Sequence, residues 1–298
     1  MSEKIKIGTR GSHLALWQAN YTMSQLLTFG IKSELCIIKT QGDKIQDLSF
    51  DKLEGKGFFT KEIEDALLRG EVDMAVHSMK DLPTVAPDGL VTTAVSYREN
   101  PADWLLIRKD RLDSERLLGL PNNAIVGTSS ARRKAQILDF RPDVVLKDLR
   151  GNVPTRVEKL RTENYDAIIL AAAGLSRLEL NLSDIEVIEL NPQEFVPAPA
   201  QGVLAFQTRE SDFEIRRILK NLHHSDVSAV TNVERRALQL MGGGCHLPLG
   251  VYCERDADQN YHVWAAVADT WDSPLRRVRL SSSTTFGLAE EIIAKLNH

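Results

Sequence analysis

Val72–Pro83, VDMAVHSMKDLP, constrains the fold more than any other stretch of this chain. Met74, Val76 and Ser78 alternate with Ala75, His77 and Met79, the pattern of a short, largely buried strand entered from a helix that Gly70 can close. The strand then meets two opposite charges, Lys80 and Asp81, and is stopped by Pro83. Buried strands of this kind belong to open α/β sheets, whose ligands bind in the loops just past the strand ends. A lone Lys-Asp pair on a loop is ordinarily solvated surface. Its meaning depends on what the rest of the chain brings to it.

With 298 residues the chain is long enough for two or three domains, and 43% hydrophobic with 26% charged residues is an ordinary globular balance. No apolar run approaches the roughly 18 residues of a membrane span. The opening MSEKIKIGTR lacks the apolar core of a signal peptide. Cys36, Cys245 and Cys253 are an odd number at wide spacing, which argues against a disulfide framework or a zinc site and for a reducing compartment. A cytoplasmic protein without a metal or a membrane partner is therefore expected. The net charge of −4, with arginines placed singly at strand ends and not along one face, excludes a nucleic-acid binder.

Taken in order, Lys4–Arg10 is a strand with Ile5 and Ile7 inward, and Ser12 is positioned to cap a helix with an apolar stripe of Leu14, Trp17, Tyr21 and Met23/Leu27. Ser33–Thr40 is a second strand, with Cys36 read as a buried structural thiol. Residues 41–59 are irregular, and Gly55-Lys56-Gly57 suggests a lid or phosphate-type loop without the P-loop pattern. Thr60–Arg69 has acids in its first turn, as a helix prefers, and Leu90–Tyr97 is a further strand. Arg98–Asp103 and the proline-rich Asn191–Ala200 are candidate crossing segments. Between them lie strands at Trp104–Arg108, Ala124–Gly127, Val144–Leu149 and Tyr165–Ala171, with helices from about Ser130 and Val153; beyond them lies the strand Val203–Phe206. Two crossings imply a discontinuous first domain, 1–97 with 198–219, and a second domain over 101–194. Residues 222–298 read as a small α+β domain: a helix at Asp226–Leu240, three strands, and a closing helix with Leu288, Ile292 and Leu296 on one face. The fold class is α/β, two doubly wound lobes plus a small C-terminal domain.

Arginines recur where strands end. GTSSARRK (127–134) runs from strand to helix with Ser129 or Ser130 as cap and Arg132-Arg133 in the first turn. Cations there oppose the helix dipole, a cost that a bound anion reverses. Arg150 ends the next strand with Arg156 one turn into its helix, Arg177 follows the strand after that, and Arg10 ends the first. One such arginine is usually solvated; four junctions describe a cleft between two lobes that holds several carboxylates. In MGGGCHLPLG (241–250) three glycines leave Cys245 on a flexible arm, either an inert thiol or a point of covalent attachment or nucleophilic use.

VHSMKDLP (76–83), GTSSARRK (127–134), LRGNVPTR (149–156), DAIILAAAGLSRL (166–178), PAQG (199–202) and GGCHLPLG (243–250) occur in one order across nearly the whole chain, from TRGSHLALWQA (9–19) onward. Together they resemble the porphobilinogen deaminase (hydroxymethylbilane synthase) family. The resemblance implies three domains, the first two similar to periplasmic-type anion-binding proteins. It implies a transferase of tetrapyrrole and heme biosynthesis that joins four porphobilinogen units head to tail with loss of ammonia, and passes hydroxymethylbilane to uroporphyrinogen-III synthase. It implies a dipyrromethane cofactor in thioether linkage to Cys245, Asp81 as the catalytic carboxylate, and Lys80, Ser129, Arg132 and Arg133 as cofactor-holding residues. Arg10, Ser12, Arg150, Arg156 and Arg177 fall at positions that bind substrate carboxylates, and a monomer is expected. Each porphobilinogen carries two carboxylates, which accounts for many arginines in an acidic chain.

The chain departs from the family pattern at Ala200, where glycine is usual, at Gln207, where glutamate is usual, and at Gly242 and His246. The competing reading is a non-enzymatic, two-lobed anion- or solute-binding protein. It would share the lobes and the arginines, but would need neither Asp81, nor a cysteine on a glycine arm, nor a third domain.

Overall fold

The computed structural model describes residues 4–40, 60–244 and 247–297. Strands β1 (Ile5–Thr9), β2 (Ser33–Ile37), β3 (Met74–Ser78), β4 (Leu90–Arg98) and the distant β10 (Val203–Arg209) form one five-stranded sheet in the order β2-β1-β3-β10-β4. Strands β5 (Asp103–Arg108), β6 (Ile125–Gly127), β7 (Val145–Lys147), β8 (Ala167–Ala171) and β9 (Ile185–Leu190) form another in the order β7-β6-β8-β5-β9. The two sheets follow one plan. Three strands are parallel, and the fourth in the order, β10 or β5, runs antiparallel to both its neighbours. In each sheet that antiparallel strand is the one the chain enters on crossing from the other lobe.

Helices α1 (His13–Thr28) and α2 (Lys61–Leu68) wind the first sheet, and α3 (Ala131–Phe140), α4 (Val153–Thr162) and α5 (Ala172–Leu178) the second. Helix α6 (Phe213–Leu219) follows β10. Ile5, Ile7, Met74, Val76, Leu204 and Phe206 share one core under the first sheet. Strand β3, the constraining stretch, is buried over Met74–His77 as its pattern predicts. Helix α7 (Ser225–Leu240), the antiparallel sheet β11 (Leu249–Arg255), β12 (Tyr261–Val267), β13 (Arg276–Ser282) and helix α8 (Leu288–Leu296) enclose a separate core of Val230, Ala237, Val251, Val263 and Ile292. Among the described residues no helix is long and apolar enough to cross a membrane.

The two crossings lie side by side. Glu99 donates its N–H to Gly202 O at 3.1 Å. A Cβ on Gly202, whose φ is +92°, would stand 2.3 Å from Glu99 O, so only glycine fits there. Ala200 adopts φ +62° and donates its N–H to Glu234 Oε2 at 2.6 Å. The left-handed backbone that suits the family's glycine is thus kept here by an alanine, at a cost of about 1–2 kcal/mol. Glu234, fully buried on α7, also accepts from both Nη atoms of Arg98 and from Cys253 N. One carboxylate therefore ties both crossings to the third domain.

Three expectations change. The buried face of α1 is Gln18, Ala19, Thr22 and Leu26, while Leu27 is exposed, because the helix lies with its polar groups against β3: Gln18 Nε2 donates to Ser78 Oγ at 2.9 Å. Cys36 is only partly buried, since β2 is the edge strand of its sheet. Strand β9, IEVIEL, is an addition at the edge of the second sheet that its alternation could have revealed.

Candidate active site

The chain leaves β3 through a single 3-10 turn, Met79–Asp81, because Pro83 prevents its continuation. Met79 and Leu82 point into a core with Val95, Ala200, Val203 and Ala205. This leaves Lys80 and Asp81 on the side of the turn away from that core. Asp81 is exposed, and among the described residues no hydrogen bond holds its carboxylate. Lys80 Nζ donates to Gln201 Oε1 at 3.2 Å. Burial pushes the Lys80 ammonium down to about 8; Asp81 and Asp103 oppose the shift, and Arg133 and Arg132 add to it.

The second lobe supplies cations with partners already in place. Ser130 caps α3, its Oγ accepting from Arg133 N, so the cap is Ser130 and not Ser129. The cap turns Arg132 and Arg133 inward onto one buried carboxylate. Arg132 Nη1 lies 2.8 Å from Asp103 Oδ2, and Arg133 Nη2 lies 2.7 Å from Asp103 Oδ1. Burial would raise the Asp103 pKa, but the two guanidinium groups overcome it and hold the carboxyl well below the usual range. Arg132 also donates to Val196 O and Arg133 to Ile169 O. Gln201 Nε2 donates to Asp103 Oδ1 at 2.9 Å. A continuous polar chain, Lys80–Gln201–Asp103–Arg132/Arg133, thus runs from one lobe to the other, with two arginines sharing one negative charge.

Ser129 joins the next two junctions. Its Oγ donates to Leu149 O and accepts from Leu149 N, both at 3.0 Å, which staples the loop after β6 to the loop carrying Arg150. Arg156, on α4, donates to Gly151 O at 2.7 Å. Burial pushes the Arg156 guanidinium down to about 10; Arg133 and Arg150 reinforce the shift, and Asp81 opposes it. Lys80 thus lies within electrostatic reach of Asp81, Arg132 and Arg133, and Arg156 within reach of Arg133, Arg150 and Asp81, residues supplied by both lobes.

The remaining sequence candidates divide. Ser12 caps α1, accepting from Ala15 N. Arg10 lies close enough to buried His77 to contribute to its low pKa, near 4, which is set chiefly by burial. Arg177 stands apart: it is buried where α5 meets α1, donates to Gly202 O at 2.8 Å and lies 5.6 Å over the Trp17 ring. Its Nε is buried without a hydrogen-bond partner among the described residues. Cys245 and residues 41–59 lie outside the described residues. The glycine arm before Cys245 is described: Gly242, Gly243 and Gly244 have φ of 91°, 64° and 143°, and a Cβ on Gly243 would meet Thr84 Oγ1 at 3.0 Å. The arm therefore passes the loop that follows Asp81. Among the described residues no cluster of His, Cys, Asp and Glu could hold a metal ion.

Sequence reasoning overlooked Asp103, Gln201 and Arg235. Asp103 opens an apolar strand, DWLLIR, where a buried charge demands a partner. Gln201 stands inside a quoted motif, yet its two-sided role appears only once the hinge is folded. Gln207, the departure from glutamate, accepts through Oε1 from His77 Nε2 at 3.1 Å and donates through Nε2 to Glu64 Oε1 at 3.1 Å. An amide can serve both neighbours, where a carboxylate would face Glu64 with like charge.

Residues 5–217 match the family model described as porphobilinogen deaminase, dipyromethane cofactor binding domain. A porphobilinogen deaminase of Oceanobacillus iheyensis is 46% identical over 86% of this chain and 82% of its own length. One of Maridesulfovibrio salexigens is 45% identical over 98% of this chain and 95% of its own. Among solved structures, a periplasmic substrate-binding protein of an ABC transporter from Coxiella burnetii is similar at a TM-score of 0.45 and 13% identity, over 75% of this chain and 94% of that one.

Proposed function

This chain belongs to the porphobilinogen deaminase family, and from that premise we propose that it joins four porphobilinogen molecules head to tail, releasing ammonia at each step, to give hydroxymethylbilane. The observation that carries the reading is the pairing of an exposed carboxylate, Asp81, which has no hydrogen bond among the described residues, with buried cations that burial and like charge have brought closer to losing their protons, Lys80 near 8 and Arg156 near 10. Such a site favours a ligand with carboxylates on its rim and a positive charge developing at its centre.

The dipyrromethane of this family fits the residues present. Among the described residues Arg132 and Arg133 share one carboxylate, Asp103. Lys80, Ser129, Arg132 and Arg133 would hold the cofactor, and Cys245 would carry it in thioether linkage. When bound, that group supplies a tethered pyrrole end from which the chain is lengthened. Arg10, Ser12, Arg150, Arg156 and Arg177 would receive the acetate and propionate groups of substrate and product. Loss of ammonia from porphobilinogen leaves a cationic azafulvene, which Asp81 would steady while accepting the pyrrole N–H. At about 4 Å and an effective dielectric near 20, one carboxylate contributes about 4 kcal/mol, roughly a thousandfold in rate if it acts only in the transition state.

Three domains go with this reading: 1–97 with 198–219 carrying the acid, 101–194 carrying the arginines, and 222–298 carrying the cofactor. A cytoplasmic monomer that hands its product to uroporphyrinogen-III synthase completes it. Intact mass of the purified protein tests the proposal. The mass should exceed the polypeptide by two linked pyrrole units, the protein should colour with an aldehyde reagent for pyrroles, and Cys245→Ala should be colourless and inactive. Full turnover of porphobilinogen by protein of bare polypeptide mass would overturn it.

A further inference from the structure

The Asp81 carboxylate has no hydrogen bond of its own among the described residues, so the backbone of its turn sets its position. That turn is weakly held from within. Its closing hydrogen bond, Leu82 N to Met79 O, is long at 3.3 Å, and Pro83 offers no N–H. Three carbonyls on its far side converge instead on one guanidinium from the third domain. Arg235 Nη1 donates to Met79 O at 3.0 Å and to Leu82 O at 3.2 Å, and Nη2 donates to Pro83 O at 2.6 Å.

The surroundings give these bonds weight. A cavity of about 350 Å³ lies behind the turn, lined by Met79, Leu82, Thr84, Thr93, Asn232 and Arg235 among others. None of the cleft cations lines it. Packing behind the turn is therefore incomplete, and the planar fork of an arginine is the side chain suited to span the gap and meet several carbonyls at once. About two turns before Arg235 on the same helix, Val227 packs against the core that holds Met79 and Leu82. Helix α7 ends at Leu240, and in the sequence the glycine arm and Cys245 follow it.

We propose that Arg235 is a positioning residue for the reaction: it fixes the turn that presents Asp81, and so registers the acid against the growing chain that the same helix leads into. The inference rests on the family activity proposed above. A misplacement of about 1 Å can cost on the order of a hundredfold in rate without loss of binding. The expected signature is a fall in kcat with KM nearly unchanged.

Turnover of porphobilinogen by the wild-type holoenzyme is measured first, and its absence would overturn the functional reading itself. With that activity in hand, Arg235→Ala should carry its cofactor in full by intact mass, lose about thirtyfold in kcat and keep KM within about twofold. Because truncation enlarges an existing cavity, ethylguanidinium at low millimolar concentration should restore at least part of the rate, and ethylammonium should not. Arg235→Lys, which keeps the charge and reaches fewer carbonyls, should fold even where the alanine variant does not, and should retain an intermediate kcat. Wild-type kcat in either variant would overturn the proposal. So would a loss in the alanine variant that parallels cofactor loss and resists guanidinium.

Discussion

The two walls of the cleft hold charge in opposite ways. On the first lobe Asp81 stands exposed on a short turn, with no hydrogen bond to its carboxylate among the described residues. On the second, Arg132 and Arg133 are buried, locked onto Asp103 and onto main-chain carbonyls. In the proposed reaction Asp81 would respond to a charge that appears only as ammonia leaves, and its placement falls to the backbone beneath it. Arg132 and Arg133, proposed to hold a permanent anion, have fixed geometry, and sharing one carboxylate spares them naked burial.

Asp81→Asn breaks the contrast most sharply. It keeps the shape of the side chain and removes the charge, so turnover should fall by about three orders of magnitude in a protein that melts like wild type. Single-turnover kinetics beside thermal melts would show this, and activity within tenfold of wild type would remove Asp81 from the chemistry.

Asp103→Asn attacks the other wall. It leaves two guanidinium groups buried without their counter-ion and should destabilise by about 3 kcal/mol, measured by urea unfolding. The sign with pH follows from the depressed carboxyl: the folded form holds its proton less tightly than the unfolded chain. The stabilisation is thus present above about pH 4 and is lost as pH falls below it. The variant should show a shallower acid limb than wild type.

Lys80 belongs to the first wall but behaves like the second, since burial brings its titration to about 8. Between pH 7 and 9 it gives up most of its charge, and affinity for a carboxylated substrate should weaken by up to about tenfold. Folding stability should rise over the window from about 8 to 10.5, because there the unfolded chain binds more protons. Lys80→Met should flatten both profiles. Ser129→Ala should have the smallest effect: loss of the staple to Leu149 costs about 1 kcal/mol by calorimetry.

Most strands and helices were legible because apolar periodicity is local. Val72–Pro83 announces a buried strand and its stop within twelve letters, and Ser12 announces its helix. The arginines were legible as a recurring position, strand end before helix. What each arginine holds was not. Arg133 finds Asp103 thirty residues away and Arg98 finds Glu234 at 136 residues, pairings that only the closed hinge creates. Arg177 shows the same limit: its position in the pattern matches the others, yet the fold sets it under Trp17 at the contact between lobes.

The place of β10 has a consequence for how the chain is made. The second sheet is complete within 103–190, whereas the first has a gap between β3 and β4 until residues 203–209 arrive. On a ribosome the arginine lobe can therefore close while the acid lobe waits with two strand edges open, a state prone to wrong pairing. Assembly of the acid turn is then the late event, ordered after the lobe that will face it. Pulsed hydrogen exchange during refolding should find β5, β6 and β8 protected before β3 and β4.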